Sequence, residues 1–394
     1  MRSRPIVMIA AAAASLVLLP GVAVSAPAAS AHARSARVCA TPAVGFASCH
    51  ALIRTDVAPL AKPGPNVTPQ GYGPTDIQSA YNLAGASAAG RTVAIVDAYD
   101  DPTAEADLKV YRAQFGLPEC TTANRCFKKV NQTGGTKAPR VNGGWAQEIS
   151  LDLDMVSAAC PSCHILLVEA SSASFANLGT AVNTAARAAG VVAISNSYGG
   201  GDAADTTYGS YYNHPGIAVT ASTGDSGYQG GSFPASSANV TAVGGTSLTR
   251  SATTRGWSES VWSGAGSGCS AYNIKLDAAA TSDTGCAKRA MADVSAVADP
   301  ATGVAVYDST AYQGFSGWMV FGGTSASAPI IGAVYALSGN TAGYANALPY
   351  QNSAALNDVT TGSNGSCPTI QWCTARAGWD GPTGLGTPNG AAAF

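Results

Sequence analysis

Four residues of this 394-residue chain could together carry nucleophilic chemistry. Ser325 lies in Gly323-Thr324-Ser325-Ala326-Ser327-Ala328-Pro329, ahead of an apolar stretch, Ala328 to Leu337, suited to a buried helix. A serine at a helix N-terminus gains from the local positive potential, which favours its alkoxide. Its hydroxyl still needs a base to take the proton. Glu148 and Asp152 are four apart, a spacing that puts both carboxylates on one helix face. Close carboxylates repel, which raises the pKa of at least one. A glutamate so tuned can serve as general base and then as general acid. Asp225, in Ser222-Thr223-Gly224-Asp225-Ser226-Gly227, can donate to an oxyanion when it is protonated. Each of the four also has a bland reading: a capping serine, a solvated acidic helix face, or a turn aspartate.

The elements around them set the geometry. Thr92-Val93-Ala94-Ile95-Val96-Asp97 reads as a buried strand, and further apolar strands are expected at His164–Val168, Val191–Ser195 and Ile217–Ala221. Helices are expected from Asp76, over Asp101–Gln114 and near Ala176–Ala189. Pro329 is expected in the first turn of the helix after Ser325, where its missing N–H costs little. Strand–helix alternation predicts an α/β domain with a mainly parallel sheet and helices on both faces. Ligands bind at the carboxyl ends of such strands, where Asp225 falls.

Composition narrows the function classes. Charged residues make up only 11% and the formal net charge is −2. Neither a nucleic-acid nor an acidic-membrane partner is implied. Few ionisable groups limit charge build-up in acid. Arg2 and Arg4, an apolar run from Ile6 to Leu19 and small residues near Ala26 and Ala31 read as a signal peptide over 1–31, so the protein is expected to be secreted. Residues 32–70 read as a short leader or linker, and 71–394 as one domain. Ten cysteines fall in neighbour pairs (39/49, 120/126, 160/163, 269/286 and 367/373), which predicts five disulfides in an oxidising compartment.

Subtilisins share the Gly-Thr-Ser-x-x-x-Pro string, and Asp97 could stand for their early aspartate. No histidine has the required neighbours: His32 and His50 lie in the leader, His164 follows Cys163, and His214 precedes Pro215. With Glu148-x-x-x-Asp152, Ser-x-Gly-Asp225-Ser-Gly and Gly-Thr-Ser325 in this order, the chain resembles the sedolisin family, the serine-carboxyl peptidases of subtilisin-like fold. Phe233-Pro234-Ala235-Ser236-Ser237 running into Val240–Thr246 extends the match. The resemblance implies a subtilisin-like three-layer domain that hydrolyses peptide bonds in acid. Its roles would be Ser325 as nucleophile, Glu148 as base, Asp152 orienting Glu148, and Asp225 completing the oxyanion hole. It also implies one structural calcium ion, held by the carboxylates of Asp358 and Asp380 and the carbonyls of Val359, Arg376 and Gly378. The family usually has glycine at the Arg376 position, but a carbonyl ligand requires only a compatible backbone.

Two departures stand out. The family's large N-terminal prodomain has no room in the stretch between the signal and the catalytic region. Tyr198 occupies a position where the family often has tryptophan. The expected partners are peptide or protein substrates, bound by a monomer. The alternatives are a catalytically silent secreted binding protein on the same fold, or a subtilisin-type protease with an unrecognised histidine.

Overall fold

The structure is a computed structural model that describes residues 1, 33–60, 67–340 and 343–394. The signal-peptide segment lies outside the described residues, apart from Met1. The apolar runs become a central sheet. In spatial order its strands are Trp257–Val261, Thr241–Arg250, Ala218–Ser222, Val191–Asn196, Thr92–Ala98, His164–Ala170 and Phe127–Asn131. All neighbours are parallel except the pair formed by Trp257–Val261, and Val294–Val297 pairs parallel with Thr241–Arg250. Strands buried on both faces need continuous apolar sequence, which is why these runs do not alternate with polar residues.

Two helices carry the chemistry. The glutamate helix, Gly143–Ala159, is capped by Asn142, whose side chain accepts from the Trp145 N–H at 3.2 Å. Every residue from Gly144 to Ala159 is buried. A helix buried all round belongs inside a core rather than on its surface. It packs against the serine helix, Thr324–Ser338. That helix lies across Val191–Asn196, Ala218–Ser222, Thr241–Arg250 and Val294–Val297. The position of a Cβ on Gly332 lies 3.6–3.7 Å from Thr220, Ser195 and Val93, which marks the sheet face the helix covers. By the period of two along a strand, Asp97 shares that face with Val93.

The serine helix begins earlier than the apolar pattern suggested, so Pro329 is its sixth residue and not in the first turn. A proline there removes the N–H that would bond to the carbonyl four residues back. That carbonyl belongs to Ser325, and the Ser197 hydroxyl stands 3.4 Å from it.

Residues 33–60 hold three short strands that composition did not signal. Ser35–Arg37 pairs with Leu52–Arg54, and Leu52–Arg54 adds to the hairpin of Val304–Tyr312 and Phe315–Gly322. Ser48–Cys49 pairs antiparallel with Tyr198–Gly201, just past a central strand. The five disulfides join neighbouring cysteines, and Cys39–Cys49 closes the leader into a loop. Among the described residues no helix is long and apolar enough to cross a membrane.

Candidate active site

Ser325 is fully buried at the N-terminus of its helix. Its hydroxyl donates to the Ser197 carbonyl at 3.1 Å. The Glu148 carboxyl lies beside it, and the hydroxyl favours that group's charged form. The hydroxyl hydrogen points to Ser197 and needs only to swing about the Cβ–Oγ bond to face Glu148. Both Glu148 oxygens are buried and have no hydrogen-bond partner among the described residues. Asp152 accepts from the Ser197 hydroxyl at 2.7 Å through Oδ1, and its Oδ2 has no partner among the described residues. Asp97 approaches from the end of its strand with both oxygens unpartnered among the described residues. The structure thus brings Ser325, Glu148, Asp152 and Asp97 into one buried cluster.

The electrostatics follow from burial. Desolvation, with the Asp152 and Asp97 charges adding, holds Glu148 well above the usual carboxylate range. Desolvation and then Asp97 do the same to Asp152, against the Ser197 bond. Burial pushes Asp97 up to about 8. Isolated carboxylates cost too much to ionise in such a place unless paired, so protons stay bound.

Asp225 lines the neighbouring cleft, near enough for its charge to act on Glu148. Its Oδ1 accepts from the Thr324 N–H at 2.8 Å and from the Thr324 hydroxyl at 2.9 Å. The residue as a whole is half-buried, yet its Oδ2 is shielded from solvent and unpartnered. Burial raises the carboxyl to about 7, against the pull of the Thr324 bonds and Arg37. Gly323, at φ +93°, leaves open the space between this oxygen and the serine helix. A Cβ there would stand 2.9 Å from Asp225 Oδ2 and only 1.9 Å from the carbonyl oxygen of His50. That carbonyl also faces the Ser325 N–H at 3.4 Å. A peptide carbonyl therefore lies at the backbone donor of Ser325, and both it and the free oxygen of Asp225 border the space that a Gly323 Cβ would fill.

His50 is the residue that sequence reasoning missed. It was set aside as part of the leader, but the leader runs through the cleft. The His50 N–H donates to the Ser197 carbonyl at 3.1 Å, continuing the pairing of Ser48 with Gly199. The cleft is about 480 Å³ and is lined by Arg37, Ser48, His50, Gly199, Thr223 and Asp225. The only early signal was Cys39 paired with Cys49, a staple that an unstructured linker would not need. The other described histidines lie elsewhere: His214 Nε2 is 2.9 Å from the Tyr211 carbonyl, and His164 begins a strand.

At the C-terminal end, Asp358 Oδ2 accepts from the Gly378 N–H at 2.9 Å. Asp380 accepts from Thr383 through Oδ1 and from the Arg376 N–H through Oδ2. No hydrogen bond among the described residues uses the carbonyls of Val359, Arg376 or Gly378. Two carboxylates and three spare carbonyls form a hard oxygen set that fits calcium. No group of three or more His, Cys, Asp or Glu side chains suited to a metal occurs among the described residues, and this set holds only two carboxylates.

No family model matches the chain. Kumamolisin of Bacillus sp. (strain MN-32) is 30% identical over 367 residues, covering 82% of this chain and 63% of that protein. Sedolisin of Pseudomonas sp. (strain 101) is 25% identical over 384 residues, covering 86% of this chain and 63% of that protein. The chain thus spans less than two thirds of the length of either. The structure of Pseudomonas sedolisin, a serine-carboxyl proteinase complexed with two molecules of pseudo-iodotyrostatin, superposes with a TM-score of 0.67 at 24% identity. The match covers 82% of this chain and 96% of that one.

The buried acids predict an unusual stability profile. An acid whose folded pKa is raised contributes stability that is full below its unfolded value, near 4, and is lost as pH rises through the folded value. For Asp97 and Asp225 that loss spans the range from about 4 to about 8. The thermal midpoint should therefore be several degrees higher at pH 5 than at pH 8 by scanning calorimetry, and Asp97→Asn should narrow the gap. In sequence and in fold together, this chain is similar to members of the sedolisin family.

Proposed function

We propose that the protein is a secreted serine-carboxyl peptidase that hydrolyses peptide bonds at acidic pH. One observation carries the reading. A peptide carbonyl lies at the Ser325 N–H, beside a carboxyl oxygen of Asp225 that has no other partner. A neutral Asp225 can donate a hydrogen bond there. An ionised one would repel the oxyanion that forms.

In this reaction Ser325 Oγ attacks the carbonyl carbon of the substrate, and its proton passes to Glu148. Asp152 and Asp97 keep Glu148 within a proton-sharing cluster, so the protons belong to the group and not to one member. The Ser325 N–H and Asp225 hold the oxyanion. Glu148 then returns the proton to the leaving nitrogen, and water releases the acyl group by the same route. The histidine-based alternative has little support. The His50 ring bonds to Ser222, and burial with the Arg37 charge lowers its pKa to about 3, which makes it a weak base.

Export to an oxidising compartment is supported by the five disulfides. Calcium, when bound by Asp358, Asp380 and the carbonyls of Val359, Arg376 and Gly378, would neutralise the two carboxylates and tie the C-terminal turns together.

Activity and melting measurements test these assignments. Glu148→Gln should lower kcat on an acidic peptide assay by about 10²–10⁴-fold, as loss of a general base does, while circular dichroism stays unchanged. In the same assay wild-type activity should fall as pH rises through about 7, where Asp225 loses its proton. Chelation should lower the thermal midpoint, since a bound ion at about a thousand times its Kd stabilises by about 4 kcal/mol. Asp380→Asn should abolish the response to chelator.

A further inference from the structure

The leader shows which side chain the cleft can take next to the attacked bond. The His50 carbonyl stands at the Ser325 N–H, and the chain on its N-terminal side pairs with Tyr198–Gly201. Beyond it, Leu52 and Ile53 pair with Gly322 and Phe321. An extended strand added to an enzyme's own edge is a common way of binding peptides. His50 thus occupies the position of a substrate residue whose carbonyl is attacked, and its side chain lies where that residue's side chain would go.

That side chain enters a narrow slot. Its Nδ1 is 2.7 Å from the Ser222 hydroxyl at the carboxyl end of a central strand. A Cβ on Gly199 would stand 2.7 Å from His50 Cε1, so a larger residue there would close one wall. A Cβ on Gly224 would stand 3.7 Å from the ring on another side. The ring and Ser222 are both buried. Burial and Arg37 keep the imidazole uncharged.

We infer that Ser222 is a specificity residue: with Gly199 and Gly224 it forms a pocket that selects an imidazole on the substrate residue whose carbonyl is attacked. The inference rests on the peptidase reading of the cleft. A buried hydroxyl left without its partner makes an apolar side chain of similar size unfavourable, which is how sites built around one hydrogen bond discriminate.

Two readouts on the full chain test this. The first uses Ser325→Ala and follows the His50 ring by NMR. The ring should not titrate between pH 5 and 8, and Ser222→Ala added to that background should shift its resonances. A ring that titrates near 6.5 like a free imidazole would overturn the pocket. The second uses two peptides copied from residues 44–55, both with Cys49→Ser and one with His50→Leu. An added peptide must displace the leader in either case, so the ratio of kcat/KM for the two peptides is independent of leader occupancy. Wild type should favour the histidine peptide by about five- to tenfold, the worth of one net hydrogen bond, and Ser222→Ala should bring the ratio near one. A wild-type ratio near one, or a ratio unmoved by Ser222→Ala, would sink the inference. If neither peptide is cut while the ring stays protected from titration, the peptidase reading fails and the pocket stands.

Discussion

Everything in this molecule is arranged around carboxyl groups buried without cations. Asp97, Glu148 and Asp152 are all fully buried, and among the described residues no lysine, arginine or histidine pairs with them. The cost of an unpaired buried charge is large enough that such groups hold protons well into the neutral range. A serine hydroxyl placed among them meets a set of carboxyls that share protons, of which the member left ionised can accept the serine proton and later return it. The price is paid by helices with no exposed face and a sheet covered on the side that carries Asp97. Burial also raises carboxyls away from the cleft, even where a cation is near, as Lys129 is to Glu169 at 3.2 Å. Burial raises Asp101 to about 6, and Asp308 and Glu169 each to about 8. These groups are easiest to accommodate when the solvent is acidic.

The second constraint is the path of the leader. Gly144, at the start of the glutamate helix, leaves only enough room for the chain to pass, since a Cβ there would meet the Val38 carbonyl at 2.2 Å. Arg37 then reaches back to Ser226 at 2.5 Å and to the Asp225 carbonyl at 3.2 Å. The disulfide from Cys39 to Cys49 presents Ser48 and His50 to the cleft in an extended form. A strand pair of two residues would not persist alone in water. It is held by the staple, by the sheet that Leu52–Arg54 joins, and by the side-chain slot at Ser222.

Much of this was legible in the residues. Strand runs such as Thr92–Asp97 are long and β-branched, and the elements they form differ from expectation by only a few residues. The E-x-x-x-D spacing did place Glu148 and Asp152 on one helix, because a helix period is local information. Three things were not legible. The start of the serine helix was hidden because Pro329 suggests a first turn, whereas here the freed carbonyl meets a side chain from another segment. The full burial of the glutamate helix depends on partners distant in sequence. The leader's pairing with Tyr198–Gly201 spans about 150 residues, and two-residue strands leave no periodicity to read.

The account stands on protons being retained by the cluster beside Ser325. Infrared titration of the Ser325→Ala protein, compared with the same protein carrying Asp97→Asn and Glu148→Gln, measures this directly. The difference spectrum should show protonated-carboxyl absorption that persists above pH 6 in the parent and is missing from the variant. Identical absorption in the two proteins at that pH would mean these carboxyls ionise like exposed ones, and the proton-sharing cluster would not exist.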